Sequence, residues 1–508
     1  MTITQPKTRA KCLLRLTALA LLTMSTFPPA VAAEGGANRD AFFWLGEINK
    51  ASAVINTDEG LLDRSLAPRV AGGIATVLAN GDKPGGKRPS TVITFEPLMI
   101  QAAGQEVTLI HAGRSSQDML ATVRVAMLRE EVLSLADQLN KTSTTMVKLA
   151  RQHVGTIVPN YTNGVAAQPN SYGHYLLGIN TGLQRDAQRL REAYQRIDRS
   201  PMGTTVLNGT GWPLNRARMA NYLGFSALVD NAYDASQISS VDLPVEVGSI
   251  VTGIALHAGS FIEDVMTQYA QPRPWILLQE GGGNTYVSSA MPQKRNPGLL
   301  NSTREKASTA ITLAMGPVIR AHNLPPGMAD AKDALTNGQM VQSATTVLQG
   351  LDRIMTALVI DRERALQELD RDWTASQEVA DELMRKYKLP FRVGHHFASK
   401  LVDYAKAHDI RPSVFPYAEA KRIYAEAVHD YGNTEFPMSE AEFRAALDPV
   451  SIVNHRVTSG GPQSVEMERM LKASEQELAK QDAWIKERRG AIDASLARLD
   501  RDFDKLSK

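Results

Sequence analysis

The chain is nearly devoid of cysteine: among its 508 residues the one cysteine is Cys12. Cys12 lies in an N-terminal segment that we expect to be removed during export, so the mature chain would have no thiol. A chain without thiols can form no disulfide, cysteine metal site or thiol nucleophile. The chemistry of the mature chain must therefore use other side chains.

Aromatic residues are also scarce, at 6%, and the formal net charge is only +2. Recurrent Ala, Leu, Glu, Gln and Arg favour helices over sheets. The absence of a long Lys/Arg run argues against a nucleic-acid partner or a polybasic membrane contact. The sequence has no H-x-x-x-H spacing, phosphate loop or dinucleotide fingerprint, so we predict no metal and no other cofactor.

The first 33 residues have the composition of an export signal. A basic stretch reaches Arg15, a short apolar run follows, and Ala30-Val31-Ala32-Ala33 supplies small residues for cleavage. The apolar run is too short to span a bilayer, which takes roughly 20 residues. No second hydrophobic stretch looks long enough to do so. We expect a periplasmic or secreted protein with no membrane association after cleavage.

Apolar residues recur at three- and four-residue steps from about Ser115 onward, which indicates long helices. The predicted fold class is all-α, with a bundle of long helices and no sheet. We predict a signal peptide (1–33), an N-terminal helical domain (34–114), a central long-helix bundle domain (115–370) and a C-terminal helical domain (371–508). Long helices are expected at about 173–198, 214–236, 246–271, 297–320 and 336–367, with a final charged helix at 463–508.

Residues 286–301 are the most informative stretch, with the sequence Tyr-Val-Ser-Ser-Ala-Met-Pro-Gln-Lys-Arg-Asn-Pro-Gly-Leu-Leu-Asn. Two adjacent hydroxyls, an ammonium and an amide follow a lead-in of three glycines. Such a loop can fold over an anionic ligand. The stretch resembles the aspartase/fumarase superfamily signature G-S-S-x-M-P-x-K-x-N, with Val287 in place of the leading Gly.

Three further segments resemble the argininosuccinate lyase branch of that superfamily, in the expected order. They are His111-Ala-Gly-Arg-Ser-Ser-Gln-Asp118, Ala167-Gln-Pro169 followed by His174, and the stretch from Ser200 to Arg216. The resemblance implies an all-α, three-domain subunit whose central helices assemble into a homotetramer. It also implies active sites built from loops of three subunits.

The resemblance assigns roles to individual residues. Ser288 matches the catalytic base, while Lys294 and Asn296 match positions that hold the substrate carboxylate. The remaining substrate-binding positions are Arg114, Ser115, Gln117, Thr162, Asn163, Gln168, Ser289 and Met291. An ion pair between helices is the alternative role for Arg114. His111 and His174 are acid–base candidates by residue type, but both match positions that shape loops or pack.

The sequence departs from the branch at the usual His–Glu pair. The ungapped alignment puts Asn163 and Asn301 at those positions, a coordinated change that can keep a neutral hydrogen bond. Residues 324–333 also differ, with Lys332 and Asp333 as polar replacements, and Ser116 replaces an arginine. These changes argue against argininosuccinate as the substrate.

The sequence leaves three functions open. The first is β-elimination from an N-substituted aspartate or related dicarboxylate, which releases fumarate and an amine. The second is a carboxymuconate-type cycloisomerase, favoured by the missing His–Glu pair because no amine needs a proton. The third is a non-catalytic ligand-binding relative, favoured by Val287, which stiffens the loop, and by the altered stretch at 324–333.

Overall fold

The computed structural model describes residues 39–507, so the predicted export segment and Cys12 lie outside the described residues. The first ten α-helices are α1 Ala41–Asp58, α2 Ala67–Gly81, α3 Val92–Ala103, α4 Ser116–Gln152, α5 Tyr172–Ile197, α6 Arg216–Tyr222, α7 Ser239–Tyr269, α8 Gly298–Ala321, α9 Ala334–Ala357 and α10 Arg362–Arg371. The remaining ones are α11 Ser376–Tyr387, α12 Phe391–Ala407, α13 Tyr417–Ala427, α14 Glu440–Leu447, α15 Pro449–Asn454 and α16 Ser464–Asp504.

Between residues 39 and 507 the strands are short, and each sheet has two strands. They are β1 Ile157–Thr162, β2 Val165–Ser171, β3 Arg199–Ser200, β4 Ala227–Leu228, β5 Ile276–Leu278, β6 Tyr286–Val287, β7 Arg295–Asn296 and β8 Leu358–Ile360. The antiparallel pairs are β1–β2, β5–β8 and β6–β7, whereas β3 and β4 are parallel. The predicted all-α class is confirmed, because the strands are short and lie in the connections between helices.

Five long helices, α4, α5, α7, α8 and α9, form the central bundle, and consecutive members run in opposite directions. Along α5 and α7, Arg196 pairs with Glu246 and Asp186 contacts His257, so rising numbers on one helix meet falling numbers on the other. The same relation joins α8 to its neighbours: Arg304 faces Glu263 on α7, and Arg320 donates to Asn337 on α9.

This alternation gives the bundle two distinct ends. At the first, which we call the signature end, α4, α7 and α9 finish and α5 and α8 begin. At the opposite one, the Arg114 end, the directions are reversed. Because α4 has 37 residues and an α-helix rises about 1.5 Å per residue, the two ends are separated by about 55 Å.

Two large apolar cores hold the described part of the chain together, beside a cluster of three residues, Ile157, Leu369 and Val453. The larger core joins α1–α3 to the central bundle and to α16, and a smaller one is formed between Trp373 and Ile452. The domain boundaries remain a prediction. The division of the helices between the two cores differs from the predicted division into domains. Residues 464–504 pack on the first core through Met467, Leu471 and Ile485, and not on the rest of the predicted C-terminal domain.

Three local predictions were wrong. The single helix expected at 336–367 is divided into α9 and α10 by strand β8. The helix expected at 214–236 is only Arg216–Tyr222, because the chain turns at Gly224 with a φ of +71°. Residues 157–171 form the β1–β2 hairpin although no sheet was expected. Apolar and polar residues alternate only weakly along these two strands, because amides and small residues occupy several of their positions.

One described stretch, Asp234–Tyr269, is long and apolar enough to cross a membrane by length and composition alone. The sequence analysis predicts no second apolar stretch of that length, so this helix is a difference from the prediction. Half of its most apolar window is buried against other helices. That burial is also the property of a core helix in a bundle of this kind.

Candidate active site

The signature residues form a small hairpin at one end of the bundle. Strand β6 pairs with β7 in register Tyr286↔Asn296 and Val287↔Arg295. The Asn296 side-chain amide donates to the Tyr286 carbonyl at 3.3 Å. The hairpin thus presents residues 288–294 as a loop at its tip, and Asn296 braces the hairpin from inside.

Ser288 is half-buried where β6 enters this loop. Its Oγ accepts from the backbone N–H groups of Ala290, at 3.4 Å, and Met291, at 3.2 Å. Its own N–H donates to the Lys294 carbonyl at 3.3 Å. Donors aimed at a hydroxyl oxygen favour its ionised form, which is what a serine base requires.

The Lys294 side chain is exposed, and its ammonium makes no hydrogen bond or ion pair with any residue in 39–507. Ser289 and Met291 are also exposed on this loop. The lead-in, Gly281 to Gly283, has positive φ at each of its three residues. The hairpin is therefore attached through backbone that only glycine adopts without strain.

Val287, which replaces the leading Gly of the signature, lies on strand β6 and has no positive φ. An L-residue is accommodated there without strain. Val287 therefore adds no backbone strain to the hairpin.

A second hairpin, β1–β2, carries Thr162, Asn163 and Gln168, and all three are exposed. Asn163 and Gly164 form its two-residue turn with φ of +52° and +77°, the sign required by a type I′ turn. Gln168 donates to Gln377 at 2.9 Å. Trp275, just before β5, lies 3.4 Å from the Tyr161 hydroxyl, so both hairpins occupy the signature end.

The proposed amide replacement of a His–Glu pair makes no contact within one chain. Asn163 is exposed at the hairpin tip and Asn301 is half-buried in the first turn of α8. The hydrogen bonds of the described residues do not include one between these two side chains. Asn163 is instead explained locally, by the turn.

Arg114 is buried at the opposite end of the bundle. Its Nη1 donates to Asn49 Oδ1 at 3.1 Å and to Ser52 Oγ at 2.8 Å, both on α1. Nε and Nη2 are buried without a partner among the described residues. Burial lowers the pKa of Arg114 to about 10, so the guanidinium still carries its charge at neutral pH. Within residues 39–507 Arg114 forms no ion pair between helices, and the polar side chains of α1 hold its guanidinium instead.

Ser115 caps the first turn of α4, where its Oγ accepts from Gln117 N–H at 3.2 Å. Asp118 completes a reciprocal capping box by accepting from Ser115 N–H at 2.9 Å. The Gln117 side chain is exposed beside it. Of the predicted binding residues in this motif, Ser115 thus caps a helix, whereas the exposed Gln117 side chain is accessible to a ligand.

Asp118 is a residue of this site that the sequence analysis did not single out. Its other oxygen accepts from Gly203 and Thr205 N–H, each at 3.0 Å, so it fastens the Ser200–Arg216 stretch to the start of α4. Burial raises the pKa of Asp118 to about 6, while the backbone donors act in the opposite direction. The Ser-x-x-Asp spacing of a capping box could have identified it.

The predicted site residues thus fall into two groups about 55 Å apart along α4, given its 1.5 Å rise per residue. Ser288, Lys294, Asn296 and the β1–β2 hairpin share the signature end, whereas Arg114, Ser115 and Gln117 lie at the other. One chain cannot bring them to one ligand. The class that fold and site define is an all-α enzyme whose anion-binding elements are divided between the ends of a long bundle.

Comparison with known proteins places the chain in a family. Residues 88–312 match the family described as lyase, and residues 373–454 match the argininosuccinate lyase C-terminal family. The argininosuccinate lyase of Geobacillus thermodenitrificans is 30% identical over 405 residues, 79% of this chain and 82% of its own. That of Methanothrix thermoacetophila is 28% identical over 469 residues, covering 91% and 94%.

The chain belongs to the aspartase/fumarase superfamily, in its argininosuccinate lyase-like branch, and it is a carbon–nitrogen lyase of that superfamily. Solved structures agree on the fold. EDDS lyase in complex with formate has a TM-score of 0.83 at 24% identity, with 92% of each chain covered. The 3-carboxy-cis,cis-muconate lactonizing enzyme from Pseudomonas putida has a TM-score of 0.63 at 18% identity, covering 87% of this chain and 96% of its own.

Proposed function

We propose that the chain cleaves the carbon–nitrogen bond of an N-substituted aspartate, or of a related dicarboxylate, and releases fumarate and an amine. The observation that carries the proposal is the Ser288 hydroxyl, which two backbone N–H groups approach on a hairpin that also bears the exposed Lys294 ammonium. Both features favour negative charge on this hairpin.

In this reaction the Ser288 alkoxide removes the proton from the carbon next to one carboxylate. The electron pair moves into that carboxylate, which becomes a doubly negative intermediate. Lys294 would balance its charge, and Asn296 supports the hairpin that presents both residues. The pair then returns to form the carbon–carbon double bond, while the neighbouring carbon–nitrogen bond breaks and its electrons leave with nitrogen.

The departing amine needs a proton, and the usual acid pair is replaced by Asn163 and Asn301. Water, the substrate itself or Tyr286 would have to supply it. Tyr286 is exposed on β6, two residues from Ser288. A carboxymuconate-type isomerisation avoids this requirement, and product mass separates the two reactions because elimination gives two fragments.

Substrate sites in this proposal form only between copies of the chain. A homotetramer with antiparallel contacts would bring the signature end of one subunit to the Arg114 end of another. Closed symmetric assemblies of this kind are the common arrangement for soluble homo-oligomers. Light scattering gives the assembly mass, and a monomer with full activity would reject this part.

We further propose that the enzyme works in the periplasm or outside the cell, on the strength of the basic, apolar and small-residue segments in residues 1–33. N-terminal sequencing of protein from the export fraction should begin near residue 34. An intact N-terminus in the cytosolic fraction would contradict export, but it would not contradict the proposed elimination reaction.

The test of activity is a panel of N-substituted aspartates with ultraviolet detection of fumarate and mass analysis of the second product. We expect fumarate and the free amine in equal amounts from at least one member. No turnover of any member would contradict the proposal, and an isomer of unchanged mass would support the cycloisomerase. Ligand-induced thermal stabilisation without turnover would indicate a binding protein.

A further inference from the structure

A small cavity lies at the signature end of the bundle, away from the residues assigned so far. It is lined by Tyr172 and Tyr175 on α5, by Asp264 and Gln268 on α7, and by Tyr161 on β1. Its volume is about 20 Å³, and about 10–15 Å³ already holds one water molecule. The cavity therefore accommodates a single particle of roughly that size, with several side-chain oxygens around it.

The carboxylate of this cavity has no cation. Glu263, the preceding residue, pairs with Arg304 at 3.6 Å, whereas half-buried Asp264 forms no salt bridge with any cation of residues 39–507. Burial raises the pKa of the Tyr172 and Tyr175 hydroxyls, and the charge of Asp264 raises it further, so both hydroxyls lie within reach of the carboxylate. An enclosed carboxylate is normally paired, because its lost hydration is otherwise uncompensated.

The Tyr172 hydroxyl is a second polar group without a partner. Tyr172 is only 2% exposed, and its hydroxyl oxygen is buried with no hydrogen bond to any of the described residues. Its ring is stacked on Tyr175 with centroids 5.6 Å apart, and Trp275 packs edge-on at 5.8 Å. The hydroxyl is thus held in place by packing, and leaving it unpaired is unfavourable.

The charge and volume of the cavity limit what can bind there. A single carboxylate balances one positive charge, and residues 39–507 contain no group of three His, Cys, Asp or Glu side chains that could hold a metal ion. A strongly hydrated ion such as Mg²⁺ keeps several of its waters, for which a cavity of this volume has no room. A weakly hydrated monovalent cation is close in size to a water molecule and carries the required charge.

We infer that this cavity binds one weakly hydrated monovalent cation, potassium or ammonium, through the Asp264 carboxylate and the oxygens of Tyr172 and Gln268. The ion would join α5 and α7 beneath strand β1, and so would hold the β1–β2 hairpin that carries Thr162 at the signature end. Sequence spacing does not reveal such a site, because its oxygens come from segments that are far apart in the chain. The inference goes beyond the proposed elimination and does not depend on it.

The test measures the Tm in chloride salts of potassium, ammonium, lithium and tetramethylammonium at equal ionic strength. Lithium is strongly hydrated and tetramethylammonium is too large for the cavity, so both control for general salt effects. The site variant is Asp264→Asn. Glu263→Gln is the matched control, because Glu263 is the exposed carboxylate next to it on α7. The Tm reports binding without any turnover, so a failure of the elimination would leave this result intact.

We expect potassium or ammonium to raise the Tm of the parent and of Glu263→Gln by about 2 °C or more over tetramethylammonium. The larger of the two shifts identifies the preferred ion, and Asp264→Asn should lose the shift. The same Tm in all four salts would indicate a buried water only and would overturn the inference. An undiminished shift in Asp264→Asn would place the ion elsewhere. A Tm lowered equally in all four salts by Asp264→Asn would show that a cation of another subunit already pairs with Asp264, which also overturns it.

Tyr172→Phe separates ion binding from a purely structural role of the cavity. In tetramethylammonium this variant should be at least as stable as the parent, because it removes a buried hydroxyl that has no partner. In potassium or ammonium its Tm shift should be smaller. Parent crystals soaked in thallium(I), an ion of nearly the size of potassium, should show anomalous density beside Asp264. No density there would overturn the inference.

Discussion

The Ser288 hydroxyl is held by its own loop, since Ala290 and Met291 N–H groups converge on its oxygen. These donors are a physical reason to choose Ser288 over Ser289 as the base. Ser289 is exposed and has no such donors in the described structure. A serine hydroxyl acts as a base only where its ionised form is stabilised.

Ser288→Ala should lower kcat by about 10²- to 10⁴-fold, the usual contribution of a positioned general base. Binding should persist, because the hairpin is held by backbone pairing and by Asn296. Steady-state fumarate release measures the effect. Ser308→Ala, on an exposed face of α8, is the matched control, and equal activity of the two variants would remove Ser288 as the base.

Asp118→Asn should lower the free energy of unfolding by about 2–3 kcal/mol, because an amide nitrogen would face the N–H groups of Gly203 and Thr205 and leave them unsatisfied. Urea denaturation measures this. Asp137→Asn, on the same helix in a partly exposed ion pair with Lys141, should change stability by less than about 1 kcal/mol. Equal effects would contradict the role given to Asp118.

At the scale of elements, the long helices were predictable and the short hairpins were not. The helix expected at 173–198 is Tyr172–Ile197, and that expected at 297–320 is Gly298–Ala321, because apolar spacing sets their length. The β1–β2 hairpin was missed although Asn163-Gly164 is a strong turn signal. Its flanking strands lack regular apolar alternation, so the periodicity that predicts strands was absent.

Asn163→Val should destabilise the β1–β2 hairpin by about 1–2 kcal/mol, since a β-branched residue resists the positive φ of that turn. Asn163→Gly keeps the turn and serves as the control. Thermal unfolding measures both. If the two variants have the same Tm, the turn does not require a left-handed residue at this position.

Arg129 joins several elements at once. Its guanidinium is fully buried, bonds to Asp198 at 3.0 Å and to the Leu223 and Gly224 carbonyls, and lies 4.1 Å from the ring centroid of Phe225. Arg129→Met should cost about 3–5 kcal/mol, because it leaves Asp198 buried and unpaired. The double variant Arg129→Met/Asp198→Leu should recover part of that loss in urea denaturation. A single variant as stable as the parent would contradict this reading.

At the scale of the whole molecule, the sequence motifs were recognisable but their separation was not. The signature residues and the Arg114 motif can each be recognised from their local residue types. Their placement at opposite ends follows from the direction of α4 and from the alternating directions of the five bundle helices. Sequence periodicity predicts that helices exist and does not state which ends meet. The resemblance alone supplied the expectation of sites shared between subunits.

The final helix shows the same limit. The sequence predicts a charged helix there, and the structure shows that this helix packs against the rest of the chain. Arg151 on α4 pairs with Glu468 and Glu475, and Arg191 on α5 pairs with Glu477, while the apolar face packs on the main core. Helix α16 thus ties the C-terminal part of the chain back to the bundle.

The most direct test of the account is a mixing experiment with two inactive variants, Ser288→Ala and Arg114→Met, each damaged at a different end of the bundle. If one active site takes its base from one chain and its Arg114 end from another, chains unfolded together and reassembled at equal amounts should recover about a quarter of parental fumarate release, because random assembly leaves that share of sites undamaged. Each variant reassembled alone should stay inactive. Mixed assemblies of the correct mass with no recovered activity would contradict a centre shared between chains.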